Sequence, residues 1–526
     1  MSGREQAMHD GQDTGAGVDP RPPVQRGGDF NVAARFLDAA PAHRTALVTT
    51  AGTTSYGELA ALASRAGHAL RALGVGKGDR VLIALRDSVE YVALWYGAQK
   101  IGAIVVELYS HLKPADYRYH ADYIDPKIVV GDAATLDALR AAKVSGLLVT
   151  GVHPSELEDG ERHFDTLLAG QPTTLPPVPM AEDEQVMWKL TTGSTGRPKA
   201  CMVPARAPSL SFEWFGRGVL DLRPDDVVLA VPKLFFGYAR DMVALFPFGV
   251  GAASILFGER TTPERIFELI ERYQPTILVN VPTMMRAMLT HPGAAQRDLS
   301  CLRMCTSAGE ALPPELHRRW LDTFGVEVVD LFGSAEVYHG FLANRPGRVR
   351  IGSLGQVVPG YRVRVVDEAG EAVPDGRPGR LEVVGETAAL GYWRHPEESA
   401  SVFTDAHTVR SGDLVRRDAD GYFYYLGRDD DMLKVRGVWV APTEIENSIA
   451  EHPAVSGCAV VGHRVDGLVT ALAFVVLRRP VEVTDLGEFI RARLAPHKRP
   501  HEVRFVASLP QTASGKVDRA ALRAGA

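Results

Sequence analysis

The chain has 526 residues, 45% apolar and 23% charged, with a formal net charge of −6. This ordinary globular composition excludes a disordered, collagenous or coiled-coil chain. It also argues against a protein that holds nucleic acid on a basic surface. At roughly 150 residues per domain the length predicts about three to four domains.

Residues 1–28 are rich in Gly, Asp, Pro and Gln without apolar periodicity and read as a flexible leader; with acidic residues and no apolar core they do not form a secretory signal. From Asn31 to about Val130 the pattern alternates between helix and strand. Tyr56 to Leu73 reads as an amphipathic helix, Arg80 to Leu85 as a buried strand, Val89 to Ile101 as a second helix and Ile104 to Leu108 as a second strand. That rhythm predicts an α/β fold with a largely parallel sheet covered by helices. It recurs in the strands Val227 to Pro232, Ile277 to Val281 and Val326 to Leu331, with a helix from Pro263 to Tyr273 between them.

The run Val243 to Phe257 is apolar but too short to span a bilayer, and it contains Pro247, Gly249 and Gly251; it reads as core, with no membrane partner. After about Gly352, turn dipeptides such as Pro359-Gly360, Asp375-Gly376 and Pro378-Gly379 separate short strands, which predicts a small antiparallel subdomain. A final block from about Met432 carries a helix (Pro442 to Glu451), strands (Ala459 to Gly462, Ala471 to Val476) and a helix (Asp485 to Leu494), enough for a separate α+β domain. Four cysteines, Cys201, Cys301, Cys305 and Cys458, make no disulfide framework and no zinc site, which points to a reducing, cytoplasmic setting.

The chemistry concentrates first in Leu190-Thr191-Thr192-Gly193-Ser194-Thr195-Gly196-Arg197-Pro198-Lys199. Glycines let backbone amides approach an anion, hydroxyls donate hydrogen bonds and Lys199 neutralises charge, as a loop around phosphate oxygens requires. The spacing is not that of a Walker A loop. On its own the cluster reads equally well as a mobile polar surface loop.

This loop resembles the signature of the adenylate-forming superfamily of acyl- and aryl-CoA ligases, adenylation domains and luciferases. Further motifs follow in that superfamily's order: Ser307-Ala308-Gly309-Glu310 on the purine side, Leu331-Phe332-Gly333-Ser334-Ala335-Glu336, Ser411-Gly412-Asp413, Gly427-Arg428-Asp429-Asp430, and Pro510-Gln511-Thr512-Ala513-Ser514-Gly515-Lys516. The resemblance implies an N-terminal adenylation domain over 29–427, a hinge at 428–430 and a mobile α+β C-terminal lid over 431–526. It implies that Thr191, Ser194, Thr195, Gly196 and Lys199 surround the ATP polyphosphate together with Mg²⁺, for which Glu336 is the expected ligand, a hard carboxylate for a hard cation. Ser307, Gly309, Glu310, Asp330, Phe332, Gly333 and Ser334 are expected around the nucleotide. Asp413 is expected to accept the ribose hydroxyls, with Arg428 beside it. Lys516 is the implied catalytic residue, stabilising charge as a carboxylate attacks the α-phosphorus. Asp430 is the implied pivot between half-reactions and Gly437 the glycine of a thiol tunnel.

Within that superfamily the chain is similar to benzoate-CoA ligases and related aryl-acid ligases, through Lys233 to Tyr238, Val337 to Gly347, Asp431 to Val435 and Leu494 to Lys498. The expected slot for an aromatic ring is Phe236, Gly237 and Tyr238, with His339 placed to meet a ring hydroxyl. The pattern departs in several places. Ala335 stands where a Thr is usual, Ala200 to Ala205 lacks the usual Gly-Val and His, and Arg240-Asp241 follows the slot where relatives are neutral. If Asp241 faces the pocket, an amino-bearing aryl acid becomes attractive; if it pairs with Arg240 on a helix surface, neither bears on specificity. The implied function is ATP-dependent ligation of an aromatic acid to CoA. Loading of an aryl or β-amino acid onto a carrier protein, and nitrite activation toward an aromatic amine, are the alternatives. The oligomeric state stays open, a homodimer included.

Overall fold

The computed structural model describes residues 29–192, 198–435, 438–465, 468–481, 483–510 and 517–525. The proposed leader lies outside the described residues, as do Ser194, Thr195, Gly196, Gly437 and Lys516.

Two large sheets carry the N-terminal part. The first has seven strands, running in space from Arg162–His163 through Leu147–Thr150, Ile128–Asp132, Arg80–Ala84, Ile104–Glu107 and Gln185–Thr192 to Pro198–Pro204; all its pairs are parallel except the last. The second has nine strands and a parallel centre formed by Val227–Ala230, Ile277–Asn280, Met304–Ser307 and Val328–Gly333. Their near-continuous Val/Ile/Leu runs are buried on both faces, the signature of parallel strands covered by helices.

Local signals place the helices where the sequence predicts them. Helix Tyr56–Ala72 starts at a capping box in which Ser55 and Glu58 satisfy each other's backbone amides. Helix Pro263–Tyr273 begins with the Thr262 cap and a proline in its first turn, and ends at Gln274 in the left-handed region. The apolar run after Met242 is buried as anticipated, spanning the end of a helix, a 3₁₀ turn and the strand Ala253–Ile255. Among the described residues no helix is long and apolar enough to cross a membrane.

Past Gly352 the five strands Arg362–Val366, Gly379–Val384, Phe403–Asp405, Thr408–Arg417 and Phe423–Arg428 form the expected antiparallel sheet. The C-terminal block has its own core, in which Ile445 and Ile449 of helix Pro442–Ala450 pack with Val460, Ala473, Val475 and Ile490. Its strands Val455–Val465 and Leu468–Leu477 pair antiparallel, with Glu502–Phe505 added parallel at the edge.

Candidate active site

A cavity of about 1170 Å³ opens between the C-terminal ends of the parallel strands, the antiparallel subdomain and the C-terminal block. Clefts beyond the carboxyl ends of parallel strands are where open α/β folds bind ligands. Its wall carries Thr191, Gly309, Glu310, Asp330, Phe332, Gly333, Ser334, Glu336, Asp413 and Arg428, so motifs spread over more than two hundred residues converge on one space.

The strand Val328–Gly333 delivers Asp330 beside Ser307 of the neighbouring strand, with which it is in register. Asp330 Oδ1 and Ser307 Oγ are buried without hydrogen-bond partners. Burial pushes the Asp330 carboxyl well above the usual carboxylate range. Gly333 has no room for a side chain, since a Cβ there would stand 2.4 Å from the His339 carbonyl oxygen. Glu336 follows in the 3₁₀ turn Ala335–Val337, and its Oε1 accepts a hydrogen bond from Tyr392 Oη at 2.7 Å. No cation pairs with Glu336 in the described residues, and Glu310 accepts from Thr283 Oγ1 at 2.7 Å.

On the antiparallel sheet Asp413 lies opposite Arg428. Ser411 Oγ donates to its Oδ2 at 2.7 Å and Tyr425 Oη to its Oδ1 at 3.4 Å. Burial raises the Asp413 carboxyl, against the opposing pull of Ser411 and Arg428. Asp430 falls within the 3₁₀ turn Asp429–Asp431. Lys199 is buried, and its Nζ pairs with Glu398 at 3.1 Å and lies over the ring of Tyr392, which lines the cavity. On either side of residues 511–516, which lie outside the described residues, the Asp518 amide donates to the Pro510 carbonyl at 2.8 Å. Next to it, Arg519 is anchored on Glu446 at 2.6 Å and on the Val460 carbonyl at 2.8 Å.

The aromatic slot forms around helix Gly237–Ala244. Phe236, Gly237, Tyr238, Tyr338 and His339 line the cavity, and Tyr238 shares a 2.6 Å hydrogen bond with Thr306. The Arg240–Asp241 pair is neither on the surface nor in the slot. Both are fully buried, Asp241 at 0% exposure, in an ionic network beneath the wall. Asp241 Oδ1 accepts from Arg240 Nε and Nη2 at 3.0 and 2.7 Å and from Tyr338 Oη at 2.9 Å. Its Oδ2 accepts from Lys189 Nζ at 2.8 Å. Arg240 Nη1 also spans both oxygens of Glu107, at 3.0 and 2.8 Å. The expectation that Asp241 lines the substrate slot is therefore corrected: it lies beneath the wall, where three protein donors meet Oδ1 and one meets Oδ2. Burial alone would raise its carboxyl, but Arg240 and Lys189 outweigh that and hold it below the usual carboxylate range.

Lys189 lies in the cavity wall and its sequence environment marks it, a single charge in the otherwise apolar strand run Val186 to Leu190. Burial pushes its ammonium down to about 8. It also dictates glycine at 237, where a Cβ would come within 2.9 Å of Lys189 Cε. His339 is boxed by Phe246 at 4.9 Å, Phe215 at 5.0 Å and Tyr238 at 6.0 Å between ring centroids. Neither of its ring nitrogens has a partner, and burial lowers it to about 3, so the imidazole is neutral.

Lys189, Glu107, Tyr392, Glu446 and Arg519 are absent from the sequence-based site, because each is recruited from a segment that carries no motif. The family assignment follows from comparison with known proteins. The AMP-binding enzyme family matches residues 34–393, and the AMP-binding enzyme C-terminal domain matches residues 444–516. The chain belongs to the AMP-binding enzyme family. This AMP-binding enzyme is 37% identical to the benzoate–CoA ligase of Thauera aromatica, over 93% of its own length and 94% of the relative's. It is 34% identical to the 4-hydroxybenzoate–CoA/benzoate–CoA ligase of Rhodopseudomonas palustris, over 94% of each chain. Among solved structures it resembles the anthranilate CoA ligase AuaEII in complex with anthranoyl-AMP, with a TM-score of 0.90, 35% identity and coverage of 94% and 96% of the two chains.

Proposed function

We propose that this AMP-binding enzyme is an acid–thiol ligase that adenylates an aromatic carboxylic acid with ATP and transfers the acyl group to CoA. The observation that carries this reading is one cavity whose wall holds both the carboxyl groups of Asp330, Glu336 and Asp413 and an aromatic slot. Its similarity to benzoate- and hydroxybenzoate-CoA ligases over nearly the whole chain supports the same conclusion.

In the first half-reaction a substrate carboxylate oxygen forms a bond to the ATP α-phosphorus and the bond to pyrophosphate breaks, giving an acyl-adenylate. Asp330 offers an acceptor for the amine of the base, and Asp413 offers oxygens for the ribose hydroxyls. Glu336 fits a divalent cation: its carboxylate is oriented by Tyr392, faces the cavity and has no cationic partner among the described residues. No group of three or more potential metal ligands occurs among those residues, so phosphate oxygens and water would complete the shell, as Mg²⁺ prefers. When bound, Mg²⁺ supplies screening of the polyphosphate charge. We assign the catalytic cation to Lys516, in the segment between Pro510 and Asp518, which are joined by a backbone hydrogen bond. In the second half-reaction the CoA thiol adds to the acyl carbon, loses its proton and expels AMP. We place the domain boundary at 428–430, with Asp430 as pivot and Gly437 beside the incoming thiol. The cytoplasm, which holds both ATP and CoA and keeps cysteines reduced, is the setting we assign.

A panel of aryl acids incubated with ATP and Mg²⁺, with and without CoA, tests the reading by product mass. Acyl-CoA from an aryl acid is the expected result. AMP release that requires nitrite and an arylamine, or no turnover of any aryl acid, would overturn it.

A further inference from the structure

Strand Pro198–Pro204 carries Lys199 as its second residue, opposite Thr191 of the cavity wall. A distant segment runs along the outer edge of that strand. The Met202 amide donates to the Gly391 carbonyl at 3.0 Å, the Trp393 amide donates to the Ala200 carbonyl at 2.9 Å, and Cys201 pairs with Tyr392 in an antiparallel bridge. This edge pairing sets one tyrosine between two charged groups. Lys199 Nζ stands 5.5 Å from the centroid of the Tyr392 ring, and Tyr392 Oη donates to Glu336 at 2.7 Å.

An ammonium and a carboxylate that flank one side chain are within reach of each other, since a lysine turns on four methylene groups. Lys199 is buried, so solvent screens the attraction little. An ion pair between them would occupy both the cation expected to meet phosphate and the carboxylate expected to meet a metal ion. The structure shows a different pairing. Lys199 Nζ goes to Glu398 Oε1 at 3.1 Å, and Glu398 Oε2 accepts from His395 Nδ1 at 2.6 Å. Glu398 lies in the first turn of helix Pro396–Val402. The Ser399 hydroxyl fixes that turn, donating to the His395 carbonyl at 2.7 Å and accepting from the Tyr392 amide at 2.8 Å. Lys199 holds the Glu398 carboxyl below the usual carboxylate range.

We propose that Glu398 is a positioning residue of the adenylation reaction: it holds Lys199 apart from Glu336, so that the phosphate cation and the metal carboxylate do not neutralise each other before ATP binds. This rests on the adenylation reading above. Glu398 engages one of the three N–H donors of Lys199, and the other two stay open to phosphate oxygens. Glu398 stands outside the cavity wall, so it fixes the lysine without adding a further negative charge to the cavity.

The test compares ATP binding by calorimetry, without aryl acid, in the full-length wild type, Glu398→Gln, Glu336→Gln and the double variant. The crystal structure of nucleotide-free Glu398→Gln accompanies it. Glu398→Gln is expected to weaken ATP binding about tenfold, because Lys199 is drawn to Glu336 and a charge-assisted bond to phosphate is lost. In the Glu336→Gln background the same substitution is expected to weaken binding less than about twofold. The crystal structure is expected to show Lys199 Nζ paired with Glu336, and it decides alone if Glu336→Gln binds ATP too weakly to measure. Glu398→Ala takes the place of Glu398→Gln if the latter does not fold. ATP held as tightly by Glu398→Gln as by the wild type, an equal loss in both backgrounds, or Lys199 away from Glu336 in the variant structure overturns the role. A wild type that binds no ATP overturns the underlying reading itself.

Discussion

The backbone carbonyl of Tyr338 accepts a hydrogen bond from Lys189 Nζ at 2.7 Å, so a lysine of the seven-stranded sheet holds a turn that belongs to the nine-stranded one. Tyr338 has φ 76° and ψ −58°, and the His339 amide reaches the Val337 carbonyl across it at 3.1 Å, a tight γ-turn of the rare, strained sense. Such a conformation persists only where its surroundings over-determine it. Here Lys189 fixes the Tyr338 carbonyl and Asp241 fixes its hydroxyl, and the consequence is the orientation of His339 into the aromatic box.

The buried network is therefore expected to be costly to break from one side. Lys189→Met leaves Asp241 one cation short and should destabilise the fold by about 3 kcal/mol, as for other buried pairs. Adding Asp241→Asn restores charge balance and should recover a substantial part of that loss. Urea unfolding of the wild type, both single variants and the double variant measures the coupling; additive losses would refute it.

His339 carries a pH signature. Its folded value, about 3, lies below the ordinary 6.5, so the unfolded chain binds the proton more readily. The stability that neutral His339 contributes is fully present above about 6.5 and is lost as pH falls toward 3. Between pH 7.5 and 5 the wild type should lose about 2 kcal/mol more than His339→Phe, which has nothing to protonate there. Parallel stability curves for the two proteins would show that the site is not buried in solution.

Glu336 and Tyr392 are expected to separate in magnitude. Glu336→Gln removes the charge that would face a cation and should lower pyrophosphate release about a hundredfold, with a raised Mg²⁺ requirement. Tyr392→Phe removes one orienting hydrogen bond, worth about 1 kcal/mol, and should slow the reaction about fivefold. A Mg²⁺ titration of each variant checks this, and equal Mg²⁺ dependence in wild type and Glu336→Gln would sink the assignment.

Lys516→Ala should abolish adenylate formation while the protein stays folded and still converts added acyl-adenylate to the thioester. Arg519→Ala should slow adenylation about tenfold by releasing the end of the same loop from Glu446 and Val460, with the thioester step spared. The two half-reactions, followed separately by pyrophosphate release and thioester formation, distinguish a delivered cation from a general loss of structure.

Motif and period were enough to read the frame of this enzyme. Parallel strands, the antiparallel insert and the small C-terminal unit are all visible as runs of apolar residues punctuated by turns, because backbone pairing and burial impose a local period on the sequence. The residues proposed to face the nucleotide were legible for a related reason: Asp330, Glu336, Asp413 and Arg428 each lie on a short contiguous motif carried by a strand or a tight turn. What only the tertiary structure decided is the chemistry of the aryl slot. Asp241 reads as a surface or pocket residue in one dimension, and becomes the centre of a buried network because Glu107, Lys189 and Tyr338 arrive from 134 residues before it to 97 residues after it. Lys199, a phosphate cation by motif, pairs with Glu398, a partner that no motif announces. Ion pairing and desolvation depend on which groups meet in space, and no local period encodes that meeting.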